Sequence, residues 1–406
     1  MSSDSCLRTV FTPTFIAVSL VNMLGLAGYY AVFVVSTAYL TDVFKAGPAT
    51  AGLATGIIVI GCLVGRFFTG SIVHTAGYRR VLSAGVLLYL ATNAAYFWAD
   101  STVLLFVVRF VSGLAVGIVG TVTGTIVAVV VPAAYHGRGI AYFSMSTALS
   151  LCVGPFIGIA LLGRIGYEGI FAVSTAMACL NLLLVPLVRV TAQRRAEHHK
   201  LSLSDFIEPR LVPYGLLVCV VCLAWGNIQA FIAPYAHVFD LVAAASLFFL
   251  VYAAAILLSR PFSGKIYDVH GPDIVIYPAL VILAAGLFLL WGVQAAWAVL
   301  AAGALAGLGF GNFQSVAQAS ALSMVGRERY AQATSTFYIF FDLGIGAAPY
   351  LAGFVVPHTG YEGLYGLNGL LVLACILGYL ALRAKGLVTV RPTSGRPLDL
   401  KGAGRS

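Results

Sequence analysis

Long apolar runs dominate the chain and short polar breaks separate them. Twelve stretches are long enough to cross a bilayer core, which takes roughly 20 mostly apolar residues. They span 13–40, 48–73, 80–99, 102–131, 139–163, 167–189, 212–238, 242–267, 274–293, 295–325, 331–356 and 362–382. The pattern predicts helices. The runs are too long for strands and lack period-two alternation, and backbone in lipid must satisfy its own hydrogen bonds. The longest polar stretch, 190–210, includes Arg194, Arg195, Glu197, His198, His199 and Lys200 and reads as a solvated linker rather than a metal site. It divides the chain into a six-helix bundle over 1–189 and another over 211–385, followed by a tail over 386–406 expected to be disordered. The predicted fold class is an all-α membrane protein with twelve transmembrane helices in two pseudo-symmetric six-helix bundles.

The halves repeat at a constant offset. Arg66-Phe67-Phe68-Thr69-Gly70 matches Arg260-Pro261-Phe262-Ser263-Gly264, with 260 − 66 = 194. The same spacing relates Gly77 to Gly271, Gly113 and Gly117 to Gly307 and Gly311, and Pro155 to Pro349. It also relates Gly166-Tyr167-Glu168-Gly169 to Gly360-Tyr361-Glu362-Gly363. A register held from the second to the sixth helix of each half marks a parallel six-helix repeat, an established transporter plan with its site between the halves.

Composition narrows the class further. Hydrophobic residues make up 60% of the 406 and charged residues only 9%, against about 25% charged in soluble domains. One aqueous core could not hide that much apolar surface. The net charge of +9 does not indicate nucleic acid, because the basic residues sit in short loops and the tail, not on a stripe with interleaved aromatics. Placing both termini inside puts Arg79, Arg80, Arg138 and Arg210 in the cytoplasm, together with Arg66, Arg260 and the basic tail. Only Lys45 and Arg164 are left outside. This asymmetry fits a multi-pass protein of a bacterial cytoplasmic (inner) membrane. The seven cysteines fall mostly in apolar runs. The Cys219/Cys222 pair has no second ligand pair and reads as packing. The first apolar run is too long for a signal-peptide core and reads as a membrane helix.

Gly70-Ser71-Ile72-Val73-His74-Thr75-Ala76-Gly77-Tyr78-Arg79-Arg80 resembles the loop signature of the major facilitator superfamily between helices two and three, with His74 where the family has Asp. The second copy, Gly264-Lys265-Ile266-Tyr267-Asp268-Val269-His270-Gly271, keeps the acid as Asp268 and lacks the final basic pair. The resemblance implies that this acid latches the cytoplasmic side by facing the N-terminus of a helix from the other half, where a helix dipole favours a carboxylate. Arg109-Phe110-Val111-Ser112-Gly113 resembles the helix-four motif linked to proton coupling. Gly154-Pro155-Phe156-Ile157-Gly158, with Ile159 in place of a further glycine, resembles the helix-five signature of drug–proton antiporters. Ser259–Gly264 and Phe341–Gly346 resemble an exporter branch that includes arabinose-efflux-like and staphylopine-exporter-like proteins. The implied activity is secondary active transport by alternating access: proton-coupled export of a small organic molecule, such as a drug, sugar or metallophore-like compound. The alternative is a proton-coupled importer or symporter of a small polar metabolite.

Two ionisable residues lie inside apolar runs, Arg109 and Asp342. A charge at the centre of a membrane helix costs about 2.5–3.5 kcal/mol on insertion scales, so such residues face a cavity or a partner. Apolar burial and a neighbouring cation act on a carboxylate in opposite senses. Asp342, with Arg109, is therefore the candidate for proton coupling. The superfamily lines its cavity with helices one, four, seven and ten. The candidates for substrate contact there are Asn22, Tyr29, Tyr30, Trp225, Asn227, Gln229, Asn312, Gln314 and Gln318. Interhelical hydrogen bonding is the competing role for the amides among them. Gly70, His74, Gly77, Gly264, Asp268, Gly271, Gly154 and Pro155 are the candidates for gating. The chain has no P-loop, so nucleotide-driven transport is not supported. It is read as a non-enzyme with no cofactor or metal and as a monomer, whose partners are the lipid bilayer, a small-molecule substrate and the proton.

Overall fold

The structure, a computed structural model, describes residues 9–46, 48–190, 207–386 and 388. Residues 191–206 of the expected linker and nearly all of the expected tail lie outside the described residues, as does the His74 side chain. In the first half, α1 is Pro13–Asp42, α2 Pro48–Ala76, α3 Tyr78–Ala95 and α4 Thr102–Val130. Helices α5 and α6 are the arms of one run, His136–Leu184, broken at Gly166. In the second half, α7 is Val212–Val238, α8 Val242–His270, α9 Asp273–Gly292 and α10 Ala296–Ser323. Helices α11 and α12 are the arms of Tyr330–Ala384, broken at Gly360. Dividing both long runs at their glycines yields the twelve apolar crossings that the hydrophobic pattern predicts, and the described residues contain no strand.

Local chemistry sets several boundaries. The Thr12 hydroxyl accepts the Phe15 N–H at 3.2 Å just ahead of Pro13, and the Ser101 hydroxyl accepts the Leu104 N–H at 3.3 Å. Each satisfies an N–H that has no partner in the helix. The turns keep the repeat's register: φ is 88° at Gly77 and 85° at Gly271, and 66° at Gly166 and 71° at Gly360. A Cβ added at Gly77 or Gly271 would meet open space, so the left-handed backbone rather than crowding calls for glycine there.

Within the halves, α1 packs along the α5–α6 run, α2 along α4, and α7 along the α11–α12 run. Between the halves, α2 meets α11 and α5 meets α8. His136 and Tyr330, themselves 194 residues apart, touch ring to ring at 5.6 Å between centroids, so the pseudo-twofold axis passes beside them. Leu183, Leu258, Phe156 and Tyr350 stand on the outer surface, where hydrocarbon rather than water suits them. The repeat is broken at one place that bears on the site. Gly307–Gly311 in α10 is a π-helical turn, whereas its counterpart Gly113–Gly117 lies in the regular helix α4. Such turns recur at functional sites.

Candidate transport site

The charged centre of the molecule joins the two halves. Cys62 and Arg66 are one turn apart on α2, and Tyr338 and Asp342 one turn apart on α11, so each pair shares a helix face. The faces meet. Arg66 Nε donates to Asp342 Oδ2 at 2.6 Å and Nη2 donates to Oδ1 at 3.3 Å, a two-point contact that suits the guanidinium fork. The Cys62 thiol donates to the same Oδ2 at 3.2 Å. The guanidinium also lies over the Tyr338 ring, 4.4 Å from its centroid. The Ser335 hydroxyl of α11 donates to the Arg66 carbonyl. Side-chain exposure is 10% for Arg66 and 15% for Asp342, so separating them would strand a charge in a poorly solvated place. Tyr30 of α1 is within electrostatic reach of Arg66, Cys62 and Asp342, and Tyr29 within reach of Asp342 and Arg109.

Arg109 does not touch this pair. It is fully buried within the first half and donates to the Ser36 hydroxyl of α1. A small pocket there is lined by Tyr29, Tyr89, Asn93, Tyr96, Arg109 and Ser112. The pattern of apolar runs singles out Arg109 as the intramembrane cation and places Arg66 and Arg260 with the loop charges. In the structure, Arg66 and Arg260 are both buried inside helices, and Arg66 is the cation that meets Asp342. Helix rise could have located them. Each lies eleven residues before its turn glycine (77 − 66 = 271 − 260 = 11), about 16 Å along the axis. That depth is around half the hydrocarbon thickness. Taking both out of the loop count leaves the charge asymmetry in place.

At one end of the bundle, Asp268 of α8 faces the start of α5. Its carboxylate accepts the Gly137 N–H at 2.7 Å, the Arg138 N–H at 3.2 Å and Arg138 Nε at 2.9 Å. A carboxylate over the first N–H groups of a helix is stabilised by those donors and by the helix dipole. The Gly264 Cα packs on Gly137 so closely that a Cβ at Gly264 would sit 2.8 Å from the Gly137 carbonyl oxygen. The same end carries two further ion pairs, Arg329 with Glu208 and Arg383 with Asp273, both at 2.7 Å.

The sequence-predicted cavity residues divide into two groups. Asn22 donates to Ser146 at 2.8 Å and Thr147 at 3.0 Å, tying α1 to α5. Asn227 donates to Asn368 at 3.1 Å, tying α7 to α12. Asn312 donates to Ser259 at 3.0 Å and to the Leu308 carbonyl at 2.8 Å. Trp225 is stacked between Tyr252 and Phe310, with centroids 4.3 and 4.8 Å away. Gln318 accepts from the Tyr338 hydroxyl at 3.4 Å. These five brace helix against helix in the state described. Tyr29, Tyr30, Gln229 and Gln314 are half-buried. Gln314 and Gln318 share a face of α10, but only Gln318 is sunk in the core.

The Major Facilitator Superfamily sequence model matches residues 18–213 and 214–405. The chain belongs to the major facilitator superfamily. An uncharacterized MFS-type transporter of Burkholderia pseudomallei is 26% identical over 383 residues, covering 90% of this chain and 92% of that one. Among solved structures, the human organic anion transporter MFSD10 superposes with a TM-score of 0.77 at 15% identity, covering 90% of this chain and 98% of its own. The proton:xylose symporter XylE superposes with a TM-score of 0.71 at 16% identity, covering 91% and 95%. At such identity, the two structures show the shared fold alone. This superfamily member is thus a multi-pass membrane transporter, and the Arg66–Asp342 contact joins its two halves.

Proposed function

We propose that the chain is a proton-coupled secondary active transporter of the drug–proton antiporter type, exporting a small organic molecule by alternating access with both termini cytoplasmic. The observation that carries this reading is the Arg66–Asp342 pair across the interface between the halves. When α2 and α11 part, a carboxylate separated from its cation in an apolar wall is costly. Binding a proton removes that charge. When the helices close again, Arg66 reclaims the carboxylate and the proton is released. The conformational cycle and the proton cycle then share one element. The Asp268 latch on α5 stabilises closure at its own end, so the two contacts belong to the same cycle.

The direction of transport rests on α5. Gly154 packs against Tyr30 and Ala27 of α1, and Pro155 removes a backbone donor within the helix. The export-type signature therefore bears on the helix that carries Tyr30 to the ion pair. The test is uptake into everted vesicles whose lumen is made acid. An exporter accumulates substrate there, and Asp342→Asn should abolish the accumulation while binding stays measurable. Full activity of Asp342→Asn would sink the coupling role. Accumulation only in right-side-out vesicles with the outside acid would indicate symport instead.

A further inference from the structure

Arg260 on α8 occupies the position in the second half that Arg66 occupies in the first, yet its surroundings differ. Arg66 has Asp342. The residue 194 positions before Asp342 is Ala148 on α5, the helix packed against α8. The repeat thus supplies two guanidinium groups and one carboxylate. Arg260 is 1% exposed, and its Nε and Nη1 have no hydrogen-bond partner among the described residues. Its ionisable neighbours are Tyr252 and Tyr338. Tyr338 is the ring that Arg66 covers, so one tyrosine at the interface between the halves lies within electrostatic reach of both arginines. An uncompensated buried cation is costly to keep. A planar fork with open N–H donors is suited to a carboxylate, sulfonate or phosphate.

We propose that Arg260 receives an anionic group of the transported molecule, so that the substrate's acid does for Arg260 what Asp342 does for Arg66. The proposal rests on the chain being a transporter with its site between the halves. It does not rest on proton coupling, because Asp342 keeps its own cation while the anion is bound.

The test uses purified full-length protein in neutral detergent and a panel of aromatic probes in matched pairs. Benzoate, 2-naphthoate and 2-naphthalenesulfonate are set against the corresponding neutral amides, with binding read by thermal shift and tryptophan fluorescence. At least one acid should bind while its amide does not, and Arg260→Gln should weaken that acid by at least about tenfold, the scale of a lost charge-assisted hydrogen bond. Arg260→Gln and Arg260→Met should melt no lower than the parent without ligand, because they remove an unpaired buried charge. An arginine with a purely structural role would lower both. Ala148→Asp provides a second readout: an internal acid at the repeat-related position should raise the melting temperature and abolish acid binding. Asp342→Asn should still bind the acid, so a failure of proton coupling is separable from a failure of this site. The proposal is overturned if no acid binds, if acid and amide bind alike, or if folded Arg260→Gln binds the acid within twofold of the parent. It is also overturned if phosphatidylglycerol alone, and none of the acids, shifts the melting point in an Arg260-dependent way, since the anion is then a lipid headgroup.

Discussion

Arg66 and Asp342 are 276 residues apart in sequence and 2.6 Å apart in space, and each belongs to a different six-helix half. The contact spans the interface between the halves. In the proposed cycle, parting of α2 and α11 exposes this one carboxylate.

Removing one partner of this pair should cost more than removing both. Arg66→Gln strands a buried carboxylate, and the expected loss is about 3–5 kcal/mol for a pair this poorly exposed. The double variant Arg66→Gln/Asp342→Asn should recover most of it. A double-mutant cycle in denaturant or by thermal melting measures the coupling. Additive losses would show that the two side chains do not depend on each other.

The Asp268 contact should bias the resting conformation. Asp268→Asn keeps an acceptor but loses the charge that faces the α5 N-terminus and Arg138. Closure at that end should weaken by about 2 kcal/mol, a shift of roughly thirtyfold in the open-to-closed ratio. Labelling of a cysteine placed at Ala141 should accelerate accordingly. An unchanged rate would mean that the carboxylate does not hold the gate.

Substituting the turn glycines should test backbone strain apart from crowding. Gly77→Ala and Gly271→Ala place a Cβ in open space but in a left-handed conformation, at about 1–2 kcal/mol each. Melting temperatures should fall by similar amounts in the two variants, as the repeat requires. A neutral result at either site would mean that its turn has relaxed to a negative φ.

The charge asymmetry makes a topological prediction. Cysteines replacing Arg79 and Arg164 should react with a membrane-impermeant maleimide from opposite sides, Arg79 only in everted vesicles and Arg164 only in intact cells. The reverse pattern would invert the proposed orientation and with it the reading of transport direction.

The sequence alone determined the twelve crossings, the division into halves and the 194-residue register, because hydropathy, turn glycines and caps act over a few residues. It also put Asp268 at a helix junction and marked Asp342 as an intramembrane acid. Depth along a helix follows from counting residues, and that count could have placed Arg66 and Arg260 in the membrane. Only the tertiary structure decided which faces meet: Arg66 rather than Arg109 beside Asp342, Asn22 tied to Ser146 instead of standing open, and Arg260 without an acid partner among the described residues. Which residues face each other is set by how whole helices pack, through contacts between residues more than a hundred positions apart. No local pattern in the chain carries that information.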